Sequence, residues 1–104
     1  MKLRQWMFLS NHAHVMVALE ADPDARLRDV ATLVGITERA VSQIIVDLEL
    51  AGVVVRTRVG RRNHYTINRA ALLRHQLEAD VAVGDLLDLV LGPRKSRRSR
   101  AAKR

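Results

Sequence analysis

TERAVSQIIVDLELAGVVVRTRVGRRNHYTIN (residues 37–68) changes its hydrophobic period at Gly52. Before that glycine, Val41, Ile44, Ile45 and Leu48 recur at helical spacing, one apolar stripe on an otherwise polar helix. Thr37 has the side chain of an N-cap, and Glu38 suits the positive end of the helix dipole. After Gly52 the period falls to about two. VVVRTRV (53–59) and HYTIN (64–68) are β-branched runs on either side of GRRN. This pattern predicts a hairpin with a four-residue tip, in which Gly60 and Asn63 take positive φ.

Toward the N-terminus, Ser10 can cap a helix running to about Ala21, with Val15, Ala18 and Leu19 on one face. ADPDA (21–25) reads as a turn. Leu27, Val30, Ala31 and Val34 predict a short second helix ending at Gly35, and only a tight turn around Gly35 and Ile36 separates it from the third. Ahead of Ser10, WMFL (6–9) is a short apolar run that suits a strand or a helix start equally. Toward the C-terminus the chain is expected to return to helix from Asn68. Val83, Leu86, Leu87, Val90 and Leu91 form a narrow apolar stripe there. Whether Ala70–Leu77 belongs to that helix or breaks near His75 stays open.

The 104 residues suffice for one domain with a modest aliphatic core. The absence of Cys excludes disulfides, thiolate zinc sites and a cysteine nucleophile. No run approaches the ~20 apolar residues of a membrane span, and a cytoplasmic, nucleoid-associated protein is expected. Net charge is +7, and residues 94–104 hold seven Lys or Arg with no acid. Without them, basic and acidic residues balance at eleven each. Within that neutral body, residues 53–77 hold six arginines and no acid, whereas 78–93 hold four acids and no base. Such polarity suits an anionic partner on one face.

The order of elements is helix, helix, tight turn, helix, hairpin, helix: mainly α with a small β-hairpin. The third helix has a polar front of Glu38, Arg39, Ser42 and Gln43. A helix enters the DNA major groove, where Arg pairs with guanine O6 and N7 and Gln with adenine N6 and N7. Arg58, Arg61 and Arg62 can then reach phosphates or a narrow minor groove from the hairpin. Double-stranded DNA is the expected partner.

Over about residues 10–68, LRDVATLVGITERAVSQIIVDLELAGVVVRTRVGRRNHYTI resembles the winged helix-turn-helix of bacterial and archaeal regulators of the MarR and ArsR type. The most specific part runs from AVSQIIVDLELAG through the GRRNHY wing. The resemblance implies a DNA-binding transcriptional regulator, usually homodimeric, with helix three in the major groove and the wing beside it. By position it puts Thr37, Arg39, Ser42 and Gln43 on the recognition helix, and Arg61, Arg62 and Asn63 on the wing. The organisation expected is an apolar segment (1–9), a winged helix-turn-helix (10–68), a helical dimerisation region (69–92) and a basic disordered tail (93–104). A domain this small has little core left for another amphipathic helix. Val83, Leu86, Leu87 and Val90, with Trp6 and Phe8, are therefore the expected dimer contacts.

Two other functions stay open: an architectural chromosome protein that coats DNA without reading it, and a protein-interaction module. No spacing of Ser, His and carboxylate suggests catalysis, and no phosphate-cradling Gly-rich loop is present, so no enzyme and no cofactor are expected. His12 and His14, two residues apart, point to different helix faces. His64 and His75 have no partner at matching spacing, although Glu78 and Asp80 are close to His75 in sequence. Structural or surface roles are expected for all four histidines, with no metal, and the sequence leaves a small-molecule effector open.

Overall fold

The computed structural model describes residues 5–93. The basic run 94–104, on which the tail expectation chiefly rests, lies outside the described residues. The elements are α1 (Asn11–Ala21), α2 (Leu27–Val34), α3 (Glu38–Leu50), β1 (Val54–Val59), β2 (Arg62–Ile67) and α4 (Val83–Leu91).

Local signals set the three helices of the N-terminal half. Ser10 Oγ accepts from the Ala13 N–H at 3.3 Å, and Thr37 Oγ1 accepts from the Ala40 N–H at 3.0 Å. Each satisfies one donor that the first helical turn leaves open. Gly35 closes α2 with φ +86°, and the Ile36 N–H folds back onto the Ala31 carbonyl at 3.0 Å. That closure is the tight turn between α2 and α3. α1 is the central helix: Val15, Met16, Ala18 and Leu19 are buried, and α2, α3, β2 and α4 all pack on it. Val30 and Ala31 of α2 join the same core, as do Val41, Ile44, Ile45 and Leu48 of α3.

β1 and β2 pair antiparallel from Val54–Ile67 at the base to Val59–Arg62 at the end. Only Gly60 and Arg61 lie between them, so the tip has two residues rather than four. Gly60 takes φ +61°, while Arg61 and Asn63 do not adopt positive φ. This is the pattern of a type II′ turn, whose twist matches that of paired strands. Asn63 therefore sits in β2, opposite Arg58. At the base Val53, Val54, Tyr65 and Ile67 are buried, whereas the outer part of the hairpin stands clear of the core. The loop between α1 and α2 steadies its edge, since the Tyr65 N–H donates to the Pro23 carbonyl at 2.9 Å.

The helix expected from Asn68 begins only at Val83. Residues 69–82 form a non-helical excursion closed by a bridge between Leu72 and Ala82. Its backbone groups bond across the excursion instead of along a helix: Leu73 N–H to the Val81 carbonyl at 2.9 Å and Val83 N–H to the Ala71 carbonyl at 2.7 Å. Residues 6–9 are neither strand nor helix. Trp6 and Phe8 stack edge to face with centroids 4.8 Å apart, and both are exposed.

α4 packs against α1. Val83 and Leu87 are buried in the core of the chain itself, and Leu86 is partly buried against it. The large apolar side chains of these elements that stay exposed are Trp6, Met7, Phe8, Leu89 and Val90. No helix among the described residues is long and apolar enough to cross a membrane.

Candidate nucleic-acid interface

The capped start of α3 presents Arg39 and Gln43 to solvent, with Ser42 half-buried beside them. Thr37 is committed to the cap. Gln43 is held by its own helix: its Nε2 donates to Asp47 Oδ1 at 3.2 Å, one turn on. Asp47 also accepts from His12 Nε2 across 2.8 Å. These two bonds, that of His12 foremost, keep the Asp47 carboxyl below the usual carboxylate range.

An ion pair ties the base of the wing to α3. Arg56 donates to Glu49 through Nε at 3.2 Å and Nη2 at 2.7 Å, with its guanidinium 5.9 Å from the centre of the Tyr65 ring. The two-pronged geometry is the strong form of an arginine–carboxylate contact, and it raises the pKa of Arg56 further. Strand β1 is thereby fixed against the helix that bears Arg39 and Gln43.

Further out, the wing side chains differ in their freedom. Arg58 folds onto the tip, Nε donating to the Gly60 carbonyl at 3.0 Å. Arg61 occupies the turn and is exposed. Arg62 Nη2 donates to the Asp24 carbonyl at 2.7 Å, and His64 Nδ1 lies 2.8 Å from Asp24 Oδ1. Asn63 is half-buried and reaches the Tyr65 hydroxyl at 3.5 Å. The sequence-derived residues thus fall on two adjoining elements. Arg39, Gln43, Arg58, Arg61 and Arg62 are exposed there; Thr37, also exposed, caps α3, Ser42 is half-buried, and the half-buried Asn63 bonds within the wing. His12, Asp24, Glu49 and Arg56 were missed by sequence reasoning. Their partners lie on other elements, and no spacing signals such pairs. Among the described residues, no group of His, Asp and Glu could hold a metal ion.

Three helices with a tight turn between the second and third, followed by a basic hairpin, define a winged helix-turn-helix domain. No protein-family model matches the chain, and no curated protein sequence matches it. Among solved structures, it is similar to the PcaV transcriptional regulator from Streptomyces coelicolor in complex with its natural ligand, at 24% identity and a TM-score of 0.54. The match covers 82% of this chain and 62% of that one. The likeness shows the winged-helix fold expected from the sequence.

Proposed function

We propose that the chain binds double-stranded DNA as a transcriptional regulator, with α3 in the major groove and the wing on the flanking backbone. The observation that carries this reading is the pairing of two exposed readers, Arg39 and Gln43, on a capped helix with a hairpin whose outer part bears the exposed Arg58, Arg61 and Arg62. A helix N-terminal half supplies base contacts, and arginines beside it supply phosphate contacts. The resemblance to MarR- and ArsR-type regulators and the fold shared with a transcriptional regulator support the same reading.

The working form is a homodimer in the cytoplasm, associated through the apolar surface of Trp6, Phe8, Leu89 and Val90. Two copies of α3 then meet half-sites about 34 Å apart along one face of the duplex. Selection from a pool of random duplexes tests this directly. Enrichment of a short two-fold motif is the expected result. Retention of duplexes without any enrichment would favour an architectural coat. Retention of none, even at low salt, would overturn DNA binding.

A further inference from the structure

Asp47 stands one turn beyond Gln43 on α3 and receives two side chains from different elements. Gln43 Nε2 donates to Oδ1 at 3.2 Å, and His12 of α1 meets Oδ2 at 2.8 Å. A glutamine amide has a donor end and an acceptor end. It reads adenine only when its oxygen faces N6 and its nitrogen faces N7. With one Nε2 hydrogen committed to Asp47, the second hydrogen and Oε1 remain for a base edge, and the flipped amide is disfavoured.

The same carboxylate is an awkward neighbour for DNA, because phosphates repel it. Among the described residues His12 is its titratable hydrogen-bond partner, and histidine is the side chain that ordinarily changes charge between pH 5 and 8. Asp47 stays ionised over that interval, since the bonds from His12 and Gln43 lower its pKa.

We propose that Asp47 and His12 are positioning residues for base reading: Asp47 orients the Gln43 amide, and a charged His12 pins the carboxylate in that pose while offsetting its charge. Site preference is then coupled to pH. The proposal rests on the DNA-binding reading of α3. Among the described residues, few charged groups face the pair. On α1, His12 sits in the first turn, where the helix dipole opposes a cation and Asp47 offsets it. From segment 69–82, Arg74, His75 and Glu78 line the 590 Å³ cavity that His12 also lines, and Arg74 lowers the Asp47 pKa through space. The His75 ring accepts from the Leu77 N–H at 3.1 Å. His14 meets Asn11 and His64 meets Asp24, away from this cluster.

The test compares affinity of the full chain for its selected duplex and for an unrelated duplex of equal length, from pH 5.5 to 8 at constant ionic strength. Acid pH makes the whole chain more positive and favours both duplexes, so the ratio of affinities is the readout. The ratio should rise about two- to fivefold toward acid pH, the range an exposed ion pair supplies. His12→Gln should hold it at the alkaline value, and His12→Lys, with its permanent charge, at the acid value. Asp47→Ala should lower the ratio throughout and flatten it, whereas His75→Gln should keep the wild-type profile. His12 and Asp47 are about half exposed, so these variants should fold, and matching melting curves check that. A flat ratio in the wild type, or a profile unchanged in His12→Gln, would overturn the proposal while leaving DNA binding intact. A chain that binds no duplex would overturn both.

Discussion

Arg69 and Gly84 are bonded to each other twice: the Gly84 N–H donates to the Arg69 carbonyl at 2.9 Å, and Arg69 Nη2 donates to the Gly84 carbonyl at 3.0 Å. The exchange closes the excursion 69–82 and seats the start of α4. It also explains why a glycine stands inside a helix. A Cβ at residue 84 would lie 3.0 Å from Arg69 Cβ and 3.1 Å from its carbonyl oxygen. Gly84→Ala gains up to about 1 kcal/mol of helix propensity but overpacks a held neighbour, at about 1–3 kcal/mol. A net loss of about 1 kcal/mol is expected, seen as a fall in Tm of about 4–8 °C. A rise in Tm would show that Arg69 can move aside.

Arg69 is the hub of a second link. Its Nη1 lies 2.5 Å from Glu20 of α1 and its Nη2 2.5 Å from Asp88 of α4. Glu20 is only 12% exposed, so this cation compensates a carboxylate largely removed from water. Arg69→Met should cost about 1–3 kcal/mol, less than for a fully buried pair because Asp88 is partly in solvent. Denaturant unfolding measures it. A loss that shrank on adding Glu20→Gln would assign that share of the cost to the contact between Arg69 and the Glu20 carboxylate.

The two sides of α4 should respond differently. Leu87 is fully buried, so Leu87→Ala should cost about 2–5 kcal/mol of folding stability whatever the oligomeric state. Leu89 and Val90 are exposed, so Leu89→Asp with Val90→Asp should leave the melting curve of the monomer nearly unchanged while weakening self-association. Sedimentation velocity across a concentration series distinguishes the two effects. An unaltered dimer in the double variant would place the interface elsewhere.

The wing arginines are expected to act on all sequences alike. Arg61→Ala removes a side chain exposed at the turn and should leave folding untouched. Binding to any duplex should weaken, and the slope of log K against log salt should fall by about 0.9 if Arg61 neutralises one phosphate. Arg62→Ala should do the same and also loosen the wing, because Arg62 anchors to the Asp24 carbonyl. Faster amide exchange at β2 in that variant alone would report the lost anchor. Equal exchange in both would remove the anchor from consideration.

Most of the helix-turn-helix was legible because its signals act within a few residues. Ser10 and Thr37 cap the helices they precede, Gly35 closes the turn between α2 and α3, and the change of period at Gly52 separates helix from hairpin. Only the tertiary structure decided the rest. Two readings of GRRN were locally permissible, and pairing of Arg58 with Asn63 selected the two-residue turn. The apolar stripe of α4 looks the same whether it faces a partner or its own core. Packing on α1 buried Val83 and Leu87 and left Val90 outside. Residues 69–82 carry helix-forming side chains, but their backbone bonds close across the excursion and onto α4. Two polar contacts of the candidate interface join residues far apart in sequence: 35 positions for His12 and Asp47, 40 for His64 and Asp24. Periodicity records which face of an element is buried, not which side chain on another element will meet it. That pairing depends on how the elements pack, and the packing is a property of the whole core.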